Sequence, residues 1–127
     1  MKLIKIYVAH PYEAREENKK KVEEFINKYK DNKQVVFMSP IHSFGWRYNS
    51  TDYEKGINEC LALLEGCDII IMPKFDEIVN SKGCLIEYGF AKGKGIKMVD
   101  YDGFNKFLND IITLEKLLEI PSVAGGF

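Results

Sequence analysis

The chain contains few of the residues that build disulfide frameworks or metal sites. It has three cysteines and two histidines among 127 residues, and no C-x-x-C pair. An odd number of cysteines, each in apolar or small-residue surroundings, is not typical of a protein held by disulfides. The two histidines, His10 and His42, are far apart in the sequence. We therefore predict no disulfide, no metal site and no redox cofactor.

The signatures of several common function classes are also missing. The formal net charge of -1 lacks the basic excess that is typical of proteins binding polymeric nucleic acids. No G-x-G-x-x-G follows the first apolar run, and no G-x-x-x-x-G-K-S/T occurs, which disfavours dinucleotide sites and the phosphate loops of ATP hydrolases. The serine-hydrolase signature G-x-S-x-G is absent as well.

Hydrophobic residues make up 46% of the chain, but they never form a long run. No apolar run approaches the length needed to span a membrane, and the N-terminus reads directly as a strand without a signal-peptide core. We expect a cytoplasmic protein with no membrane partner.

Short apolar segments alternate with charged, amphipathic ones along the chain. The apolar pattern predicts strands over 2–9, 34–38, 67–72 and 96–101, and helical periodicity predicts helices over 13–29, 52–65, 81–91 and 104–119. Residues 110–114 are a candidate fifth strand, although we favour helix there. Such alternation is typical of right-handed β-α-β crossovers. The sequence therefore predicts one domain over 1–127, a three-layer α/β/α doubly wound parallel sheet of the flavodoxin or Rossmann type with four or five strands.

An acidic residue, Glu87, lies in the mostly apolar segment 85–91, where a lone carboxylate needs an explanation. In open α/β sheets the ligand site lies beyond the carboxyl ends of the strands, and this segment follows the third strand. A carboxylate in a partly apolar site can attack a sugar carbon and form a covalent glycosyl ester. Tyr7, at the end of the first strand, is the candidate to orient it. The alternative is a surface glutamate on an amphipathic helix.

Two further groups of residues accompany Glu87. Ser81 and Gly83, at the predicted start of the same helix, are placed to offer backbone N–H groups to an anion, or simply to cap the helix. Residues 41–50 predict a loop with many aromatic and hydrogen-bonding side chains: His42, Phe44, Trp46, Arg47 and Tyr48. Such a loop is typical of a pocket wall or a subunit contact, or of a loop folded over the core by its aromatic residues.

Three segments of the chain form a pattern when they are taken in order. They are Lys5-Ile6-Tyr7-Val8-Ala9-His10-Pro11-Tyr12, Cys67-Asp68-Ile69-Ile70-Ile71 and Ser81-x-Gly83-x-x-x-Glu87-x-Gly89-x-Ala91. This pattern resembles the nucleoside 2-deoxyribosyltransferase superfamily, and within it small relatives that are often associated with phages or mobile elements. The resemblance implies that Glu87 is the nucleophile that attacks the sugar C1′ and that Tyr7 positions it.

The resemblance also implies a class of substrate. Six residues before the glutamate, the transferases carry an aspartate that contacts the sugar 5′-hydroxyl, and this chain has Ser81 there. The relatives that hydrolyse nucleoside 5′-monophosphates carry a serine, which contacts the phosphate. A hydroxyl at a helix N-terminus can donate to a phosphate that a carboxylate would repel. Ser81 therefore favours a nucleotide, with His10 and Arg15 as further phosphate contacts.

One acid that the resemblance implies is missing from the second helix. Eight residues before Asp68 this chain has Cys60, with Glu59 beside it. A shift of the helix by one residue would let Glu59 protonate the leaving base. Asp68 itself is interpreted as structural or as lining the pocket.

Taken together, these residues predict an N-glycosidic-bond enzyme, either a hydrolase or a deoxyribosyltransferase, acting on a (deoxy)nucleoside or its 5′-monophosphate. Phe44, Trp46 or Tyr12 would stack on the base. The resemblance further implies a homodimer or larger homo-oligomer, in which the tail 121–127 would reach a neighbour or simply fray. Two alternatives stay open: an inactive nucleotide-binding module of the same fold, and a structural protein with Glu87 at its surface.

Overall fold

The computed structural model describes residues 3–119, which are built around a parallel sheet. Its strands are β1 (Ile4–Val8), β2 (Val35–Met38), β3 (Ile69–Ile71) and β4 (Lys97–Val99). Their order across the sheet is β2-β1-β3-β4, and β1 pairs Tyr7 with Met38 on one side and with Ile70 on the other. The chain first passes from β1 to β2 and then crosses to β3. The switch point of the sheet therefore lies between the carboxyl ends of β1 and β3.

Helices connect the strands and cover both faces of the sheet. In the described part of the chain they are α1 (Glu16–Asn27), α2 (Pro40–Phe44), α3 (Tyr53–Glu65), α4 (Phe75–Ile78), α5 (Lys82–Lys94) and α6 (Phe104–Glu119). A single 3₁₀ turn, Gly45–Arg47, follows α2. None of the helices in residues 3–119 is both long and apolar enough to cross a membrane.

The alternation of side chains along β1 divides the core into two apolar layers. Ile6 and Val8 point to one face, where they pack with residues of α1 and α6: Val22, Phe25, Phe104 and Leu108. Tyr7 and Ala9 point to the opposite face and pack with residues of α3 and α5: Leu64, Cys84 and Ala91. The predicted three-layer α/β/α fold is confirmed, and within residues 3–119 the sheet has four strands.

Aromatic rings fasten α6 to the sheet and to α1. Phe104, the first residue of α6, is completely buried. Its ring centroid lies 5.6 Å from that of Phe25, 4.9 Å from that of Tyr29 and 6.1 Å from that of Phe37. Leu108, one turn later, is buried on the same side of the helix. This helical spacing of buried residues explains why 110–114 continues a helix and forms no fifth strand.

The stretch 41–50, predicted as a loop, contains a short helix and a 3₁₀ turn, so that loop prediction is wrong. Ser39 caps α2 by accepting the N–H of His42 at 3.4 Å, and Pro40 begins the helix, where its missing N–H costs nothing. The polar segment after β3 likewise forms α4. The other predicted elements are present, with ends that differ by at most three residues. The predicted tail 121–127 lies outside the described residues.

Candidate active site

Glu87 lies in the second turn of α5, and only 6% of the residue is exposed. Its carboxylate accepts a hydrogen bond from the hydroxyl of Tyr7, which is completely buried. The alternation of β1 turns Tyr7 toward the face of the sheet that α3 and α5 cover. Helix α5 begins at its cap Ser81 and ends at Gly95, whose φ of 71° lies in the left-handed region that glycine adopts freely. The structure thus brings Glu87 and Tyr7 together.

Burial governs the protonation state of this pair. It raises the pKa of Glu87 from the ordinary 4.5 to about 7, while the hydrogen bond from Tyr7 acts in the opposite direction. Burial and the neighbouring carboxylate both raise the pKa of Tyr7 well above 10. The phenol therefore keeps its proton at neutral pH and donates it in the hydrogen bond. Glu87, in contrast, changes from acid to carboxylate near neutral pH.

Two cysteine thiols stand close to the pair. Cys60 of α3 adjoins the hydroxyl of Tyr7, and Cys84 lies one turn before Glu87 on α5. Burial raises the pKa of Cys60 to about 11 and that of Cys84 to about 12, and the charge of Glu87 raises both further. Both thiols are therefore protonated at neutral pH and are poor nucleophiles.

Two tyrosines also lie near the carboxylate, and neither was predicted from the sequence. Tyr53 is the first residue of α3 and is half exposed. Tyr101 follows β4 and donates its hydroxyl proton to the carbonyl oxygen of Ala9 at 2.6 Å. Burial raises the pKa of both phenols, and the charge of Glu87 contributes to each shift. The sequence signal for Tyr53 is Asp52, whose side chain caps α3 and so fixes where the helix begins.

The start of α5 lies next to Tyr53. A β-carbon on Gly83 would come within 4.0 Å of the Tyr53 hydroxyl, which places the phenol at this helix end. Ser81 caps the helix, because its Oγ accepts the N–H of Cys84 at 3.3 Å. The cap uses a lone pair of the oxygen, so the hydroxyl can still donate its proton, and the side chain of Cys84 is within its reach. A hydroxyl donor, backbone N–H groups and the helix dipole together favour an anion at this point.

Helix α2 and the following 3₁₀ turn form an aromatic rim beside α3. The guanidinium of Arg47 lies 5.6 Å from the ring centre of Phe44 and 5.5 Å from that of Trp46. Trp46 is 80% exposed. Arg47 also donates to the carboxylate of Glu59 at 2.6 Å. Glu59 is thus engaged by Arg47, whereas its neighbour Cys60 is the residue that meets Tyr7.

Tyr12 joins this rim to the segment that follows β1. Its ring stands perpendicular to that of Tyr48, with the centroids 5.3 Å apart. Gly45 makes this contact possible, because a β-carbon there would lie only 3.0 Å from the ring of Tyr12. Tyr48 in turn is close enough to Tyr53 to raise its pKa. The rim therefore continues as far as Tyr53 and the start of α5.

The architecture matches that of a solved enzyme. A 2-desoxiribosyltransferase from Leishmania mexicana is similar to this chain with a TM-score of 0.58 and 21% sequence identity, over 76% of this chain and 63% of that chain. The chain has a nucleoside 2-deoxyribosyltransferase-like fold. It spans less than two thirds of the length of that structure. No family model and no curated protein matches the sequence.

In this deoxyribosyltransferase-like fold, two residues that were predicted to contact the substrate, His42 and Arg15, pair with glutamates of other parts of the surface. Nε2 of His42 lies 2.8 Å from the carboxylate of Glu23 on α1, and its other ring nitrogen contacts the side chain that caps α2. Arg15 pairs with Glu17 at 2.5 Å, and its side chain is more than half exposed. The structure therefore does not bring either residue to Glu87.

Asp68 and His10 lie at opposite ends of the parallel strands, Asp68 at the amino end and His10 at the carboxyl end. Asp68 precedes β3, and its carboxylate accepts a hydrogen bond from the N–H of Lys5 at 2.8 Å. Of the two roles predicted for Asp68, this contact fits the structural one. His10 follows β1 at the carboxyl edge, and Nδ1 lies 2.7 Å from the carbonyl oxygen of Pro11. His10 also lines a cavity of about 400 Å³ whose other walls include Lys21, Lys74, Glu77, Asp100 and Tyr101. Tyr101, whose pKa the charge of Glu87 helps to raise, is thus shared by this cavity and the surroundings of Glu87.

The chemistry that this site offers is that of an oriented carboxyl group. In the described part of the chain, no three His, Cys, Asp or Glu side chains come together in a way that could hold a metal ion. Glu87, held by Tyr7 in an apolar setting, can act as a nucleophile when ionised or as an acid when protonated.

Proposed function

We propose that the chain cleaves the N-glycosidic bond of a (deoxy)nucleoside or a nucleoside 5′-monophosphate, with Glu87 as the nucleophile. The observation that carries the proposal is the buried hydrogen bond from Tyr7 to Glu87. A carboxylate held by one donor in an apolar site is oriented and poorly solvated, which suits it to attack an electrophilic carbon. The fold supports the same proposal, because a solved structure that shares it is named as a 2-desoxiribosyltransferase.

The proposed reaction has two displacements at C1′. In the first, an oxygen of Glu87 bonds to C1′, and the bond to the base nitrogen breaks through an oxocarbenium-like transition state. Tyr7 holds the carboxylate in the attacking orientation. In the second, water or another base attacks C1′ and releases Glu87. Water makes the protein a hydrolase, and a second base makes it a deoxyribosyltransferase.

The start of α5 is the proposed binding site for the 5′ end of the substrate. A 5′-phosphate there would accept hydrogen bonds from the hydroxyl of Ser81 and the N–H of Gly83. The aromatic residues proposed to stack on the base are Phe44, Trp46 or Tyr12. Phosphate contacts by His10 and Arg15 stay predictions, since both side chains have other partners.

A base-release assay tests this proposal. Nucleosides and their 5′-monophosphates are incubated with the wild type, Glu87→Ala and the surface control Glu24→Ala, and free base is separated by chromatography. We expect release by the wild type and the control, and a loss of at least about 10³-fold in Glu87→Ala, which lacks the nucleophile. Release that persists in Glu87→Ala would exclude this nucleophile. If no compound releases its base, the proposed N-glycosidic-bond activity is excluded.

Tyr7→Phe is expected to shift the pH dependence of base release to higher pH. The hydrogen bond from Tyr7 lowers the pKa of Glu87, so the loss of this bond raises that pKa above its value of about 7. Because the carboxylate is the reactive form, kcat/KM rises with pH up to this pKa. At pH 6 we expect about a tenfold loss in Tyr7→Phe, with a smaller loss at pH 9. The value of kcat/KM is measured against pH for both proteins. If it rises over the same pH range in Tyr7→Phe as in the wild type, this role of Tyr7 is contradicted.

The same assay tests a second candidate, a nucleotide-binding module of this fold without turnover. It is favoured by the ion pair of Glu59 with Arg47 at 2.6 Å, because this pairing engages the carboxyl group that was predicted to protonate the departing base. Calorimetry with the compounds of the base-release assay completes the comparison. Binding without base release would support the module, and release would exclude it.

A further inference from the structure

The cavity beside His10 lies where open α/β sheets hold their ligands. Its walls come from segments that follow three strands and from two helices: His10 after β1, Lys74 after β3, Asp100 and Tyr101 after β4, Lys21 of α1 and Glu77 of α4. The ligand crevice of such sheets lies outside the carboxyl ends of the strands at the switch point, which here falls between β1 and β3.

This cavity is a different site from the one proposed for base release. Within residues 3–119, neither Tyr7 nor Glu87 is among the residues that line it. Its volume of about 400 Å³ is within the range of small-molecule sites. The fold therefore offers a second place for a small ligand.

Two carboxylates of the cavity are each fixed through one oxygen. Oδ1 of Asp100 accepts the N–H of Gly103 at 2.6 Å, and Oε1 of Glu77 accepts the N–H of Lys74 at 3.2 Å. Among residues 3–119, the second oxygen of each carboxylate has no hydrogen-bond partner. Nδ1 of His10 lies 2.7 Å from the carbonyl oxygen of the next residue, so Nδ1 carries the proton and Nε2 of the neutral ring is an acceptor. The walls thus hold oriented acceptors that a ligand can use.

The charges of the walls are mixed, with a small negative excess. The walls contain the carboxylates of Glu77, Asp100 and Asp102 and the ammonium groups of Lys21 and Lys74. Lys74 is paired with Asp102 at 3.2 Å. A phosphate would meet the free carboxylate oxygens, and a bare cation would meet the ammonium groups. A hydroxyl group suits both, because it donates to a carboxylate and accepts from an ammonium group.

We propose that this cavity binds a ribose unit, either free or within a ribonucleoside, by its two neighbouring hydroxyl groups. The free oxygens of Asp100 and Glu77 accept the two hydroxyl protons, and the ammonium group of Lys21 donates to the sugar oxygens. Recognition of a ribose hydroxyl by one Asp or Glu is general in dinucleotide-binding sheets. Binding at this site requires no chemistry at Glu87, so it is independent of the proposed function.

Two backbone amides report on this site, because Gly103 and Lys74 donate their N–H groups to the wall carboxylates. Spectra that correlate ¹⁵N with ¹H are recorded for the wild type with increasing D-ribose, 2-deoxy-D-ribose or inorganic phosphate. Uridine and 2′-deoxyuridine are added to Glu87→Ala, so that no base is released during the titration. We expect ribose and uridine to shift both amides until saturation. The deoxy compounds should bind about tenfold more weakly, because they lack one hydroxyl donor to a charged acceptor.

Asp100→Asn and Glu77→Gln test the two carboxylates. Each variant loses one carboxylate oxygen but keeps an amide oxygen for the backbone N–H that the side chain accepts. Asp76→Asn is the matched control, since Asp76 lies beside Glu77 on α4 but does not line the cavity. We expect each cavity variant to weaken ribose binding by about tenfold and the control to leave it unchanged. If a cavity variant does not fold, the other variant and the deoxy sugar decide.

The outcomes distinguish the sugar from the nucleoside and the cavity from Glu87. Equal affinity for ribose and uridine assigns the site to the sugar, and much tighter binding of uridine assigns it to a ribonucleoside. Equal binding of ribose and 2-deoxyribose, shifts by phosphate alone, or no saturable shift of either amide would overturn the inference. Shifts confined to the start of α5, such as the amide of Cys84, would place the sugar at Glu87 and also overturn it. None of these results changes what the base-release assay decides.

Discussion

Glu87→Gln is expected to increase the free energy of unfolding by about 3 kcal/mol at pH 8 while abolishing base release. The unfolded chain ionises this carboxyl near pH 4.5, and the folded chain does so only near pH 7 because the group is buried. Ionisation therefore weakens the fold. The stabilising contribution of protonated Glu87 is complete below pH 4.5 and is lost as the pH rises through about 7.

Glutamine stays neutral at every pH and can still accept the hydrogen bond of Tyr7 through its amide oxygen. The stability difference between Glu87→Gln and the wild type should therefore be near zero at pH 4.5 and large at pH 8. Urea unfolding at both pH values measures it, with Glu24→Gln on the exposed side of α1 as the control, for which we expect less than about 0.5 kcal/mol. A Gln variant that is less stable than the wild type at pH 8 would show that burial does not penalise the carboxylate.

Phe104→Ala is expected to lower the free energy of unfolding by about 3–5 kcal/mol, which is a large part of the total for a domain of this size. The ring is completely buried and contacts aromatic rings of α1 and β2, so its removal leaves a cavity between the sheet and two helices. The loss should appear as a lower urea midpoint and as a melting temperature lower by about 10 °C or more.

Leu118→Ala is the control for this prediction. Leu118 belongs to the same helix, but 67% of the residue is exposed. We expect its replacement to change the free energy of unfolding by less than about 0.5 kcal/mol. A loss below about 1 kcal/mol in Phe104→Ala would mean that α6 contributes little to the stability of the sheet.

The meeting of Tyr7 and Glu87 could be predicted because period-two alternation and strand ends are properties of the sequence itself. The short helices α2 and α4 could not be predicted from periodicity, since four or five residues do not complete a repeating pattern. Ser39-Pro40 follows the second strand, and a capping residue followed by proline is typical of a helix start.

The contacts of α3 could be predicted from the sequence only in part. Ile57, Leu61 and Leu64 lie on one face of the predicted helix 52–65, and Cys60 falls on that face at helical spacing while Glu59 does not. The sequence therefore contained the signal that Cys60 meets Tyr7. The bond between Glu59 and Arg47 joins two separate elements, and local pattern alone does not reveal such a contact.

The exposure of Trp46 has a spectroscopic consequence. It is the chain's single tryptophan, and it is 80% exposed in the folded state, on the rim beside α3. An indole that is already in contact with water changes little in emission when the chain unfolds. The intrinsic fluorescence of this protein therefore reports on what approaches the rim, and folding is better followed by far-ultraviolet circular dichroism.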